Sequence, residues 1–403
     1  MTLRNSTRAR VAAAAVAVLL TVVGCSSSAK TSKSGSSIKI GIINDTTGSA
    51  SSGYQNTEKG IKAYVNAVNS TGGVNGHKIE YVMADSQSTP AGALTAAQKL
   101  IQKDKVFAII SVTSFFFGAE PYLLKQGVPV VGTGFDGPEW TDKKNTNLFT
   151  SIGVYGVGSV YAVSGEAVKK LGGTTCGAIG YIESPSASAS AKAFDKSCEA
   201  AGLKAPYVTN VHFGSTDVGP IALGMKNAGV DSAFLATVPS TGFALAAALK
   251  QVGAKNSAIL LPTGYGGDLL QSSAGVQAAQ GFYFSTQLQP VELNTPATQV
   301  LTKRLAAAGE SSGPGFAESS AYLSLAAFAR GIQAAGSNLS QANYMDSLRK
   351  VTGYDAEGLL APNKIDFSSY DPPEQCSWYV KLQGNKFVPV TGLAPICGKK
   401  LSD

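Results

Sequence analysis

The chain is poor in the residues that usually carry chemistry. It has two histidines in 403 residues, His77 and His212. His77 sits in the NGHK turn before a strand and His212 ends a strand in VHFGST, so both read as structural or solvated. No H-E-x-x-H pair or Walker loop occurs. Glu183 and Glu318 stand alone, with no second acid to form a dyad. No C-x-x-C occurs, which removes support for zinc and for thioredoxin-like redox work. Charged residues make up 15% of the chain, in mixed sign and without long blocks, so neither nucleic acid nor a charged tail is indicated. The longest apolar run, Val11–Val23, is too short to span a bilayer. These gaps argue against an enzyme and call for no cofactor and no metal.

What is present begins at the N-terminus. Arg4, Arg8 and Arg10 precede VAAAAVAVLLTVV, the basic and apolar parts of a secretory signal. The run closes on VVGC. A small residue before Cys25 resembles the lipobox of bacterial lipoproteins. That resemblance implies a signal peptide over 1–24, a lipidated Cys25 and a tether over 25–37, rich in serine and lysine. The expected location is the extracytoplasmic face of the bacterial cell membrane. The formal charge of +7 includes the three signal arginines, and their removal leaves +4, too little to imply an acidic partner. Four further cysteines suit an oxidising compartment. Proximity in sequence suggests Cys176–Cys198 and Cys376–Cys397, with the other two pairings open.

From Ile38 onward, short apolar runs alternate with helical stretches. IKIGII, KIEYVMAD, VFAIIS and VPVVG read as strands, separated by helices over 58–69, 91–103 and 119–126. The alternation restarts at CGAIGYI and continues to Phe282–Leu288. Two α/β lobes with parallel sheets are the simplest account. Phe316–Ala335 reads as a long helix, Leu339–Val351 as another, and SWYVKLQGNKFVPV as a hairpin turning at Gly384-Asn385.

IKIGIINDTTGSAS and NSTGGVNGHKIEYVMADSQSTPAGALTAAQKLI, in this order and spacing, resemble the type I periplasmic solute-binding proteins of ABC transporters, in particular the branched-chain amino acid group. The resemblance implies two Rossmann-like lobes joined by three crossovers. Lobe 1 would take 38–150 plus 290–353, and lobe 2 would take 151–289 plus 354–403. The hinges would lie near Ser151–Tyr155, Gln287–Val291 and Tyr354–Leu359. It implies a monomer that holds a small molecule between the lobes and hands it to an ABC permease. A protein on the same fold that senses a ligand or joins cell-envelope interactions, without transport, is the alternative.

One motif bears on this choice. Residues 132–137 read GTGFDG, a G-x-G-x-x-G after an apolar run. A dinucleotide fingerprint follows a first strand, opens a helix and has an acid about twenty residues on. Here the strand is the fourth, Pro138 and EWTDKKNTN follow, and no such acid appears. The segment is therefore expected to be a cleft loop. The resemblance places ligand contacts at Tyr54, Thr113, Ser114, Phe115, Gly134, Phe135, Asp136, Tyr155, Ser186, Val238, Ser240, Thr263 and Tyr265. Thr113 and Ser114 would offer hydroxyls to a carboxylate. The acid expected to bind an ammonium is replaced by Thr263, and two lobe-2 tyrosines by Ser186 and Val238. The clamp for an amino acid is thus incomplete. Three consecutive rings, Phe115, Phe116 and Phe117, cannot all face one core, so one is expected to reach the cleft. An apolar or aromatic ligand is favoured over an amino acid, with Asp136 available to an amine or hydroxyl.

Overall fold

A computed structural model describes residues 35, 37–153, 159–369, 372–390, 392 and 394–402. The calls on Cys25, the signal segment and Tyr155 lie outside the described residues. The first body is built on β1 (Ile38–Asn44), β2 (Ile79–Asp85), β3 (Ala108–Val112), β4 (Val130–Gly132) and β5 (Leu148–Thr150). These form a parallel sheet in the order 2-1-3-4-5. The connecting helices are α1 (Thr57–Ser70), α2 (Pro90–Gln102) and α3 (Glu120–Gln126). Strand β3, AIISV, is buried along its whole length, as a parallel strand covered on both faces should be. Helix α2 starts where Thr89 accepts a bond from the Gly92 N–H, with Pro90 in the first turn.

The second body repeats the plan. Helix α4 (Val163–Lys170) leads into β6 (Thr175–Tyr181), α5 (Pro185–Ala200), β7 (Lys204–Val211), α6 (Gly219–Asn227), β8 (Ser232–Leu235), α7 (Pro239–Gln251) and β9 (Ala258–Leu260). Short helices α8 (Gly267–Gln271) and α9 (Ser273–Ala278) precede β10 (Tyr283–Thr286). The chain then returns to the first body through α10 (Pro296–Ala307), α11 (Phe316–Ala335) and α12 (Gln341–Arg349). It ends in the second with β11 (Glu374–Gln383), β12 (Lys386–Pro389) and β13 (Ile396–Lys399). The second sheet runs 12-11-10-9-8-6-7, with β13 also on β11. Strands β6 to β10 are parallel, and β11 is antiparallel to β10.

Helix α11 covers the first sheet and is buried almost all round. Its small residues permit close approach: a β-carbon at Gly60 of α1 would lie 2.2 Å from the Glu318 carbonyl oxygen. Cys176 of β6 is bonded to Cys198 of α5, and Cys376 of β11 to Cys397 of β13.

Two expectations about segment limits change. Helices α5 and α7 begin earlier than periodicity suggests, because Pro185 and Pro239 stand in their first turns. The last passage between bodies lies beyond Phe367, not at Tyr354–Leu359. Leu359, Leu360, Ile365 and Phe367 are all buried in the first core, and Tyr354 packs against Phe367.

Candidate functional site

The parallel strands of both sheets point their carboxyl ends at one another. Ligand sites in open α/β sheets form beyond such ends. The loops there enclose a cavity of about 160 Å³. From the first body come Tyr54 after β1, Ser114 after β3, Phe135 and Asp136 after β4, and Phe316 at the start of α11. From the second come Tyr181, Ser184 and Ser186 around the end of β6, Phe213 after β7, Thr237 and Val238 after β8, and Thr263 after β9.

The wall is aromatic on both sides. Phe316 meets Phe135 at 4.9 Å between ring centroids and Tyr54 edge-on at 6.0 Å. Tyr181 stacks on Phe213 at 4.0 Å. The two bodies touch beside this space. Ser52 and Ser240 hydroxyls lie 3.2 Å apart across it, and the Phe115 ring sits 5.1 Å from Phe213.

A buried carboxyl organises the first wall. Asp45, at the end of β1, accepts hydrogen bonds from the hydroxyls of Ser86 and Thr113 and from the Ser114 N–H at 2.8 Å. It thereby ties together the ends of β1, β2 and β3. Burial pushes its pKa up to about 6, against the lowering effect of those bonds. Ser114 is then set to share a 2.7 Å hydrogen bond with the Tyr54 hydroxyl.

Asp136 lies in the cavity wall and is buried. Its Oδ1 accepts from Trp140 Nε1 at 2.8 Å, and its Oδ2 has no partner among the described residues. Burial raises its pKa well above the carboxylate range, and the nearby Glu139 raises it further. Glu139 is itself pushed to about 7, mainly by burial. Among the described residues that line the cavity there is no lysine, arginine or histidine.

The G-x-G-x-x-G segment has a packing explanation. A β-carbon on Gly132 would meet the Trp140 ring at 2.7 Å, and one on Gly137 would meet Glu139 Oε2 at 2.0 Å. Gly134 has a φ of +74°, which favours glycine. The three glycines let the loop fold over Trp140 and its buried acids, and no helix longer than a single 3-10 turn follows.

Of the residues expected at the site, Tyr54, Ser114, Phe135, Asp136, Ser186, Val238 and Thr263 line the cavity. Thr113 instead serves Asp45. Phe115 packs behind the wall on Phe117 and Phe213, and Phe116 packs on Trp140. No ring of the FFF run lines the cavity: the chain turns back at Phe116–Gly118 against α2, and Phe115 lies on Phe213. Gly134 lies against Thr150, Ser240 bridges the lobes, and Tyr265 turns away to donate to Glu292 at 2.7 Å. Tyr181, Phe213 and Phe316 were not foreseen. The first two close strands whose carboxyl ends face the cleft, so strand position alone would have found them.

The periplasmic binding protein family matches residues 37–386. The chain belongs to this family. It is a family of solute-binding, extracytoplasmic proteins, not an enzyme class, and its two-lobe type I architecture is the one seen here. A leucine-, isoleucine-, valine-, threonine- and alanine-binding protein of Pseudomonas aeruginosa is 24% identical over 83% of the chain and 89% of its own length. Two other curated relatives are matched over 32% and 58% of their lengths. A solute-binding protein of an R. palustris ABC transporter, in complex with benzoate, superposes with a TM-score of 0.73 at 17% identity, covering 91% of this chain and 98% of that one. A fatty acid ABC transporter substrate-binding protein from Thermomonospora curvata gives 0.75 at 19% identity, covering 89% and 92%. No described helix is long and apolar enough to cross a membrane.

The buried acids fix the sign of a pH effect. Asp136 and Glu139 have pKa values raised above those of the unfolded chain. Between the ordinary carboxylate range and the raised values, the folded protein holds protons that the unfolded chain has lost. Stability therefore falls as pH rises through that window. The melting temperature should be higher at pH 5.5 than at pH 8.5. Asp136→Asn, which keeps the Trp140 acceptor, should raise it at pH 8.5 and flatten the slope. A melting temperature that increases with pH contradicts this.

Proposed function

We propose that this protein is an extracytoplasmic solute-binding lipoprotein, anchored through Cys25, that captures an aromatic or aliphatic carboxylic acid and delivers it to an ABC permease. The observation that carries this reading is the make-up of the cavity: rings from both bodies, several hydroxyls and, among the described residues, no cation. A cavity of about 150 Å³ lined by apolar groups accommodates a benzene ring, so the space suits a single ring or a short chain.

The polar groups are arranged for an acid without an α-amine. Ser184 and Ser186 stand at the start of α5, where their hydroxyls and the positive end of the helix favour an anion, although Ser184 Oγ also accepts from the Ala187 N–H. Burial favours the neutral form of Asp136, which offers a ligand a hydrogen bond in place of a charge. Pairing with an ammonium would require ionising it in a dry wall, which is costly. Thr263 and Thr237 bond to each other's loops through Thr263 Oγ1 and the Thr237 carbonyl, and neither carries charge. The structural neighbours that hold benzoate, or carry the name of a fatty acid carrier, are consistent with this choice. Closure would follow because the ligand touches rings of both bodies and so favours the closed form.

A thermal-melt screen tests the ligand class. One panel holds benzoate, 4-hydroxybenzoate and octanoate; the other holds Leu, Val and Phe. A ligand at about 100 times its dissociation constant adds roughly 2.7 kcal/mol, a shift of degrees. The acids should raise the melting temperature and the zwitterions should not, and Phe213→Ala should weaken the acid response about tenfold. A shift with Leu and none with the acids would overturn the assignment. The anchor is tested by fractionation. Cys25→Ser should release the protein from the membrane fraction; retention there would contradict lipidation at this residue.

A further inference from the structure

Most buried hydroxyls of the cavity wall are served by their neighbours. Tyr54 and Ser114 pair with each other, Tyr181 donates to Thr241 Oγ1 at 3.0 Å, and Ser184 pairs with Ser186. Asp136 differs. Trp140 Nε1 donates to its Oδ1, while its Oδ2 is buried with no partner among the described residues. A buried polar atom left unpaired is costly, and few occur in folded proteins. This one belongs to a residue that lines a ligand cavity, so the ligand is the natural source of the missing partner.

The local sequence holds this carboxyl in one orientation. The loop GTGFDGPEW folds over Trp140, whose ring packs on Phe116 at 5.1 Å and leaves no room for a β-carbon on Gly132. Trp140 is 2% exposed, and its N–H fixes Asp136 Oδ1 as an acceptor. In the neutral form that burial favours, the proton therefore sits on Oδ2, and that oxygen is a donor. It calls for an acceptor. A carboxylate suits this position poorly. Asp45 and Glu139 act on Asp136 here, and burial disfavours charge at all three acids. The start of α5, on the other body, is the better place for an anion. An uncharged oxygen is left for Asp136.

We propose that the natural ligand is an oxygenated acid: its carboxylate lies against the start of α5 in the second body, and a second oxygen, of a hydroxyl, ether or carbonyl, accepts a hydrogen bond from Asp136 in the first. The apolar ring or chain between these groups fills the aromatic cavity. The ligand then links the two bodies by hydrogen bonds as well as by ring contact. Asp136 is the specificity-determining residue, since a site with a buried donor rejects an analogue that leaves the donor unpaired. This inference rests on reading the aromatic cavity as a site for a carboxylic acid.

Calorimetric titration with matched pairs tests it: 4-hydroxybenzoate against 4-methylbenzoate, and 3-hydroxybenzoate against 3-methylbenzoate. Hydroxyl and methyl groups are close in size, but only the hydroxyl accepts. In at least one pair the hydroxy acid should bind about tenfold tighter. Asp136→Leu, similar in shape and without a donor, should erase or reverse that preference. Asp136→Asn, whose carbonyl keeps the Trp140 bond and whose amide donates, should retain it; its loss there contradicts the donor role. Hydroxy acids no tighter than their methyl counterparts in either pair, or a preference that survives Asp136→Leu, overturn the proposal and leave the carboxylic-acid reading in place. Binding by none of the four overturns both together.

Discussion

The first wall of the cleft hangs on one carboxyl. Asp45 sits where β1, β2 and β3 end, and its three donors come from two other strand ends. Loops at strand ends are otherwise free to wander, since the ladder no longer holds them. Here the Ser114 N–H and the Thr113 hydroxyl are both committed to Asp45. Ser114 is therefore fixed against Tyr54, and Tyr54 against Phe316. The position of a cavity ring thus depends on a buried acid that does not itself line the cavity. Hydrogen bonds to a charged group contribute roughly 1.5–3 kcal/mol each, yet burial of Asp45 opposes them. The raised pKa shows which effect is larger.

That same balance decides what the cleft selects. Burial dominates at Asp45, Asp136 and Glu139, so this part of the molecule disfavours charge. An α-amino acid would add an ammonium to this space, and burial disfavours the ionised form of Asp136, the one acid among the described lining residues. A ligand with a large apolar body gains from ring contact on both sides, at roughly 25 cal/mol per Å² of apolar surface removed from water. Ring contacts that span the cleft also exist only when the bodies are together. Binding and closing are therefore one event in energetic terms.

Much of the architecture was legible because its signals are redundant. The buried strand IKIGII, the helix Phe316–Ala335 and the turn at Gly384-Asn385 each carry a strong local pattern, and both disulfides join sequence neighbours. The site was legible in part. Loop ends such as Phe135-Asp136 and Ser184–Ser186 follow from strand order. The direction of a side chain within such a loop does not. Phe115 and Phe135 look alike in sequence, but one packs on Phe117 and Phe213 while the other stands in the cavity wall against Phe316. Phe316 reaches the cavity from a helix far along the chain, where no local pattern announces it. Asp45 was hidden for another reason: its role depends on donors that lie about 40 and 70 residues away.

The central claim is that the closed cleft holds an acid or neutral molecule of apolar body, without an ammonium clamp. Native mass spectrometry of the protein as isolated from its own cells, followed by release and identification of the bound molecule, tests this most directly. The account predicts a mass shift from an aromatic or aliphatic compound lacking an α-amino group. Release of leucine, valine or another α-amino acid in stoichiometric amount would contradict it.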